Sequence, residues 1–193
     1  MALAMLEDAA PAQRGALRKE IDTNIAELDA LVEEVLLAGR LDAATTSEQK
    51  EPVGLLGLLA EEASRVGASV MGDDVSCLGE ERLLRRALRN LLENARRYGG
   101  GEVELTVQRQ GDRVQAQVSD RGPGVPEAFR ERIFEPFFRL PGHAEKAGGV
   151  GLGLALVRQI AERHGGSVRC DARAGGGSTF TLTLPLSVPS ARA

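Results

Sequence analysis

Gly148-Gly149-Val150-Gly151-Leu152-Gly153-Leu154-Ala155-Leu156-Val157 puts glycines at the mouth of an apolar helical run, which continues through Ile160 to His164-Gly165-Gly166. A glycine-rich turn feeding a helix leaves the first backbone N–H groups without intrahelical partners, all pointing one way. Such a turn is an anion site, and glycine lets a phosphate approach the backbone closely. Alone, the stretch also suits plain packing. Two companions upstream tip the balance: Asn90-Leu91-Leu92-Glu93-Asn94 and Asp120-Arg121-Gly122-Pro123-Gly124. The three together read as an ATP site.

Working outward, the chain from Val53 to 187 reads as one α+β domain. Helix 55–65 precedes short strand-like pieces at 68–71 and 75–78. A long helix, 80–98, stops at Gly99-Gly100-Gly101. Segments 102–109 and 113–119 alternate polar and apolar residues across Gln110-Gly111-Asp112, the pattern of a hairpin. Pro126–Ile133 reads as a short helix opened by proline. Segments 167–172 and 178–184 form a last hairpin through Gly175-Gly176-Gly177. Strands in hairpins with helices between them predict a two-layer sandwich, helices on one face. Residues 188–193 form a tail.

Upstream, residues 1–41 read as helical. Met1–Asp8 looks like the end of one helix, broken by Pro11, and Gln13–Arg40 like a second. Ile21, Ile25, Leu28, Leu31, Val32, Val35 and Leu36 make a wide apolar stripe on the second. A partner chain completing a four-helix bundle would cover it. Docking on the following domain is the alternative. The polar stretch 42–52, with Thr45-Thr46-Ser47-Glu48-Gln49-Lys50 and Pro52, reads as a linker.

Bulk properties narrow the function. A net charge of −4 leaves no basic excess for nucleic acid. No apolar run approaches membrane-spanning length. Cys77 and Cys170, far apart in sequence, suit a reduced cytoplasmic protein. Four of the five phenylalanines fall between Phe129 and Phe138, a hydrophobic cluster under a loop.

On helix 80–98 each residue steps about 100° around the axis. Leu84, Leu88, Leu91 and Ala95 then share one face, and Asn90, Asn94 and Arg97 the other. An amide carbonyl is a suitable magnesium ligand, its NH2 can donate to phosphate, and a guanidinium offsets phosphate charge. A solvated helix face is the bland reading of the same stripe. Asp120 follows a strand and precedes two glycines. A carboxylate only accepts hydrogen bonds, so it suits the amino group of adenine and repels the carbonyl of guanine. A mismatched buried pair costs about 1–3 kcal/mol, enough to select the base. A turn aspartate is the bland reading here.

These motifs, in this order, closely resemble the catalytic domain of sensor histidine kinases, over nearly the whole chain. Asn90-Leu-Leu-Glu-Asn94-Ala-Arg-Arg-Tyr98 looks like the N box of that family, and Asp120-Arg-Gly122-Pro-Gly124 like its G1 box. Ile133-Phe134-Glu135-Pro136-Phe137-Phe138-Arg139 looks like its F box, and Gly149-Val-Gly151-Leu152-Gly153-Leu154 like its G2 box. The resemblance implies the Bergerat ATP-binding fold shared with DNA gyrase. It implies Asn94 and Asn90 as magnesium and phosphate ligands, with Arg97 and Tyr98 beside the nucleotide. Asp120 would hold adenine between Gly122 and Gly124. Phe134, Phe137 and Phe138 would anchor an ATP lid, Pro136 to Gly149. Arg139, His143 and Lys146 are phosphate candidates within it. Where Val150 stands the family usually has Ser or Thr, and valine cannot cap the helix.

Residues 1–41 resemble the dimerisation hairpin of the family, which carries the phosphoacceptor histidine on its first helix, upstream of Met1. Neither His143 nor His164 is followed by the acidic residue and Leu-Arg-Thr-Pro run of that acceptor. His164, at a helix C-terminus, suits an imidazolium. The chain therefore reads as a fragment of a larger kinase, unable to phosphorylate itself alone. The parent would be a homodimer passing phosphate from ATP to histidine and on to the receiver domain of a response regulator. It would reach the bacterial inner membrane only through upstream segments. Gyrase-type ATP hydrolysis is the competing enzyme reading, and gyrase-type enzymes carry a general-base glutamate where Asn90 stands. A non-enzymatic dimerisation and regulator-docking module is the other alternative.

Overall fold

The computed structural model describes residues 50–141 and 151–187. Upstream it describes Arg14, Gly15, Leu17, Arg18, Lys19, Ile21, Asp22, Ile25, Leu28, Val32, Leu36 and Gly39. These upstream residues are all helical, as the stripe predicts, and Ile25, Leu28, Val32 and Leu36 are each more than half exposed.

The domain runs β1 (Glu51–Gly54), α1 (Leu55–Ser64), β2 (Ser69–Gly72), β3 (Ser76–Gly79), α2 (Glu81–Tyr98), β4 (Glu104–Gln110) and β5 (Arg113–Ser119). Two 3-10 turns (Glu127–Phe129 and Arg132–Phe134), α3 (Gly153–Arg163), β6 (Ser167–Ala172) and β7 (Ser178–Pro185) complete it. Five strands form the main sheet in the order β2-β4-β5-β7-β6. Only the β2–β4 pair is parallel.

Period-two alternation decides the layers, since successive strand residues face opposite ways. Leu105 and Val107, Val114, Ala116 and Val118, and Phe180, Leu182 and Leu184 are all buried. They pack with Leu55 and Leu59 of α1, Leu84, Leu88 and Leu91 of α2, and Leu156 and Ile160 of α3 in one core. The opposite sheet face carries Thr106, Gln115, Gln117, Thr179 and Thr183. The expected α+β sandwich, helices on one face, is the observed one. Across the outer side of the helix layer, the buried Glu62 carboxylate of α1 binds Arg85 (3.1 Å) and Arg89 (3.0 Å) of α2. The Arg89 guanidinium holds that carboxyl below its usual pKa.

The strand-like pieces at 68–71 and 75–78 are strands, in different sheets, and two other local expectations differ. β2 lies parallel to β4 at an edge of the main sheet, while β3 pairs with β1 in a separate two-stranded sheet. β1 takes in Glu51 and Pro52, which the sequence reading gives to the linker. Pro126–Ile133 forms two 3-10 turns and no helix. So short a run closes too few i→i−4 bonds to repay helix nucleation.

Candidate nucleotide site

Three pieces of chain far apart in sequence meet at one end of the helix layer. α2 supplies its polar edge, with Asn90 buried, Asn94 and Tyr98 half-buried and Arg97 exposed. The loop after β5 supplies Asp120 to Gly124. The N-terminus of α3 supplies Gly151 to Leu154. The contacts between them are backbone-close, which explains the glycines. A Cβ on Gly122 would lie 2.1 Å from the Tyr98 carbonyl oxygen. A Cβ on Gly99 would lie 2.5 Å from that of Asp120. The Arg121 N–H donates to the Gly99 carbonyl (3.1 Å), which ties the end of α2 to the loop.

Asp120 is 5% exposed. Its Oδ1 accepts from the backbone N–H of Gly122 (2.8 Å) and of Ser178 (3.2 Å). Two main-chain donors on one oxygen fix the plane of the carboxylate and leave Oδ2 to a ligand. The carboxylate can thus take a hydrogen from an exocyclic amino group, as the sequence reading expects of a base reader.

Asn90 reaches the other side. Its Nδ2 donates to the carbonyl of Gly153 (3.0 Å), the first residue of α3. The amide NH2 therefore ties α2 to the glycine-rich turn instead of awaiting a phosphate, and Oδ1 remains for a ligand. Helix α3 has no side-chain cap, so the N–H groups of its first turn stay available to an anion. Leu152 is buried and Leu154 half-buried, so these side chains pack while the backbone faces the turn.

The donor set tests the implied metal. Among the described residues, no group of three His, Cys, Asp or Glu side chains could cage a metal ion. Asn90 and Asn94 offer amide oxygens. That fits magnesium, which keeps several waters and arrives on substrate phosphates, bound by only one or two protein oxygens.

The phenylalanine cluster is the root of the candidate lid. Phe134 is buried edge-on against Phe180 (6.4 Å between centroids), with the Arg158 guanidinium 5.0 Å from its ring centre. It seats the root from the core, away from a ligand. Phe138 packs on Phe129 (5.9 Å), and Arg132 lies 4.5 Å over its ring. Phe137 departs from the anchoring role. The residue is 67% exposed and its backbone is left-handed, with φ 64°. Its N–H donates to the Gly151 carbonyl (3.0 Å), so the anchor at this position is main chain. Gly151 is left-handed too (φ 83°), and a Cβ there would lie 2.9 Å from the Phe138 carbonyl oxygen. Arg139 is half-buried beside this root. His143, Lys146, Gly149 and Val150 lie outside the described residues.

One further reading changes. His164 is no exposed imidazolium. It is 4% exposed, its Nδ1–H donates to the Ile160 carbonyl (2.7 Å), and its Nε2 accepts from the N–H of Glu80 (3.0 Å). That pattern needs the neutral ring, and burial lowers its pKa. Cys77 and Cys170 are both free, and burial pushes each thiol up to about 11, so neither is poised to react.

Ser178 is the residue that motif reading misses. Besides its N–H to Asp120, its Oγ accepts from the Val125 N–H (3.0 Å), and its carbonyl accepts from the Asp120 N–H (2.9 Å). Its one signal in the sequence is its place after Gly175-Gly176-Gly177, which reads equally well as an ordinary hairpin turn.

Residues 79–188 match the family described as histidine kinase-, DNA gyrase B-, and HSP90-like ATPase. The chain is 38% identical to the sensor protein RstB of Escherichia coli, over 95% of this chain and 44% of RstB. It is 34% identical to the sensor-like histidine kinase SenX3 of Mycobacterium tuberculosis, over 95% of this chain and 47% of SenX3. It spans less than half the length of these relatives. Among solved structures, full-length ShkA in complex with AMPPNP matches with a TM-score of 0.73 at 31% identity, covering 98% of this chain and 43% of ShkA. The ATP-binding domain of PrrB from Mycobacterium tuberculosis matches with a TM-score of 0.61 at 29% identity, over 73% of this chain and all of that domain.

Proposed function

The chain belongs to the histidine kinase-, DNA gyrase B-, and HSP90-like ATPase family, and from that premise we propose that it binds magnesium-ATP as the catalytic part of a sensor histidine kinase. The γ-phosphoryl group passes to a histidine outside this sequence, and from there to an aspartate on the receiver domain of a response regulator. The parent works as a homodimer and is held at the membrane by segments outside this sequence.

The roles divide by position. Oδ2 of Asp120 accepts the amino hydrogen of adenine, with Gly122 and Gly124 letting the base approach. The first turn of α3, Gly151 to Leu154, receives phosphate on its N–H groups. Asn94 and the Oδ1 of Asn90 complete the coordination of the nucleotide-borne magnesium. Arg97, Tyr98 and Arg139 flank the phosphates, and Gly149 is a further nucleotide-binding residue. The protein contributes positioning and charge stabilisation to phosphoryl transfer. Hydrolysis of gyrase type is disfavoured, because an amide held to Gly153 cannot take a proton from water at neutral pH.

The observation that carries this reading is the Asp120 carboxylate, pinned through one oxygen by two backbone N–H groups. Calorimetric titration with ATP and GTP in magnesium tests it. ATP should bind clearly better, and Asp120→Asn should weaken ATP roughly tenfold or more while leaving the fold intact. The same protein should label a kinase-dead parent that retains its acceptor histidine. Equal affinity for both nucleotides, unchanged by Asp120→Asn, would sink the reading.

A further inference from the structure

Arg173 lies outside every motif discussed above, in the turn between β6 and β7. Its side chain is only 10% exposed, low for an arginine. The guanidinium makes two contacts at once. Nη1 donates to the backbone carbonyl of Asp120 (3.2 Å), and Nη2 pairs with the Glu104 carboxylate (2.5 Å). Glu104 opens β4 and is registered opposite Ser119, the residue before Asp120. The sheet order is β4-β5-β7-β6 across this region. Arg173 therefore reaches from the end of β6, across the ends of β7 and β5, to β4. It straps down the point where β5 delivers Asp120.

The strap is answered from the other side. Arg121, next to Asp120, donates Nη1 to the carbonyl of Ala174 (3.1 Å). Two guanidiniums thus cross the same seam in opposite directions. The peptide between them has little slack, since a Cβ on Gly177 would lie 2.0 Å from the Asp120 carbonyl oxygen. The carbonyl that Arg173 holds and the carboxylate that faces the base belong to one residue, so shifting one shifts the other.

We propose that Arg173 is a positioning residue for purine choice: by clamping the Asp120 carbonyl to Glu104 it sets where the Asp120 carboxylate meets the base, and so sharpens adenine over guanine. The proposal rests on the base-reading role of Asp120. The guanidinium fork suits this geometry, because each terminal nitrogen takes one partner in a fixed plane, whereas a lysine ammonium is a single point charge without that planar fork. Among the described residues, the polar contacts of the Arg173 guanidinium are with Asp120 and Glu104, away from the N-terminus of α3. Base choice and phosphate affinity therefore separate.

The experiment uses the whole chain and three probes: ATP, GTP and inorganic tripolyphosphate, titrated against wild type, Arg173→Met, Arg173→Lys and Asp120→Asn. Arg173→Met should weaken ATP roughly three- to tenfold and leave GTP and tripolyphosphate within about twofold. The ATP-to-GTP preference then narrows. Arg173→Lys should narrow it as well, and it carries the test if the methionine variant does not fold. An unchanged preference in the folded Arg173 variants, with Asp120→Asn losing its own, would overturn the strap while leaving Asp120 as reader. A uniform loss across all three probes would also overturn it, by marking Arg173 as plain scaffolding. A preference kept by Asp120→Asn would remove the premise instead.

Discussion

At the residue scale, the buried ring of His164 makes stability depend on pH in a definite direction. Its neutral form joins the C-terminus of α3 to Glu80 at the head of α2. Burial, the largest cause, and the charges of Lys50 and Arg163 lower its pKa below the ordinary 6.5, against the opposing pull of Glu80 and of the Ile160 carbonyl. A base whose folded pKa is depressed binds fewer protons folded than unfolded. Its contribution is fully present above the ordinary value and is lost as pH falls through it. The melting temperature should therefore fall as pH is taken from about 7.5 to about 5.5. His164→Gln, whose carbonyl can still accept from Glu80, should flatten that fall. A slope unchanged in the variant would remove His164 as its source.

The same scale shows what could be read without coordinates. Asp120, Asn90 and the glycines of the α3 turn stand out as candidates, because their chemistry and neighbours lie within a few residues. Ser178 and Arg173 do not. Each acts on Asp120 from more than fifty positions away, through a main-chain N–H or a guanidinium, and a backbone donor carries no mark in the identity of its residue.

At the element scale, long periodic pieces follow from the sequence and short ones do not. The apolar face of α2 is buried where the helical period puts it, at Leu84, Leu88, Leu91 and Ala95. The strands β2 and β3 have four residues each, too few for alternation to name a partner. The lid root depends on two left-handed residues facing each other, Phe137 and Gly151. Gly151→Ala should open it. An alanine at that φ costs about 1–2 kcal/mol, and its Cβ meets the Phe138 carbonyl besides. Amide exchange at Phe137 should accelerate and ATP affinity should fall, with the core amides of β5 unaffected. Equal protection of Phe137 in both proteins would show that the pairing does not hold the root.

At the scale of the whole molecule, the helical stripe of Ile25, Leu28, Val32 and Leu36 is apolar and exposed. An amphipathic face of this kind needs a partner. Sedimentation should detect concentration-dependent self-association that Leu28→Glu with Val32→Glu abolishes, while nucleotide binding to the domain stays unchanged. Association that survives both substitutions would place the contact elsewhere. Within the domain, β7 has neighbours on both sides, β5 and β6, although it is the last strand in sequence. The sheet is thus completed from the middle, by the strand of that sheet that is synthesised after the other four. One donor to the Asp120 carboxylate sits at the first residue of that strand, so the setting of the proposed base reader is unfinished until β7 threads between its neighbours. A nascent chain halted before Ser178 holds every upstream motif and still lacks one of the two main-chain donors that fix the Asp120 carboxylate.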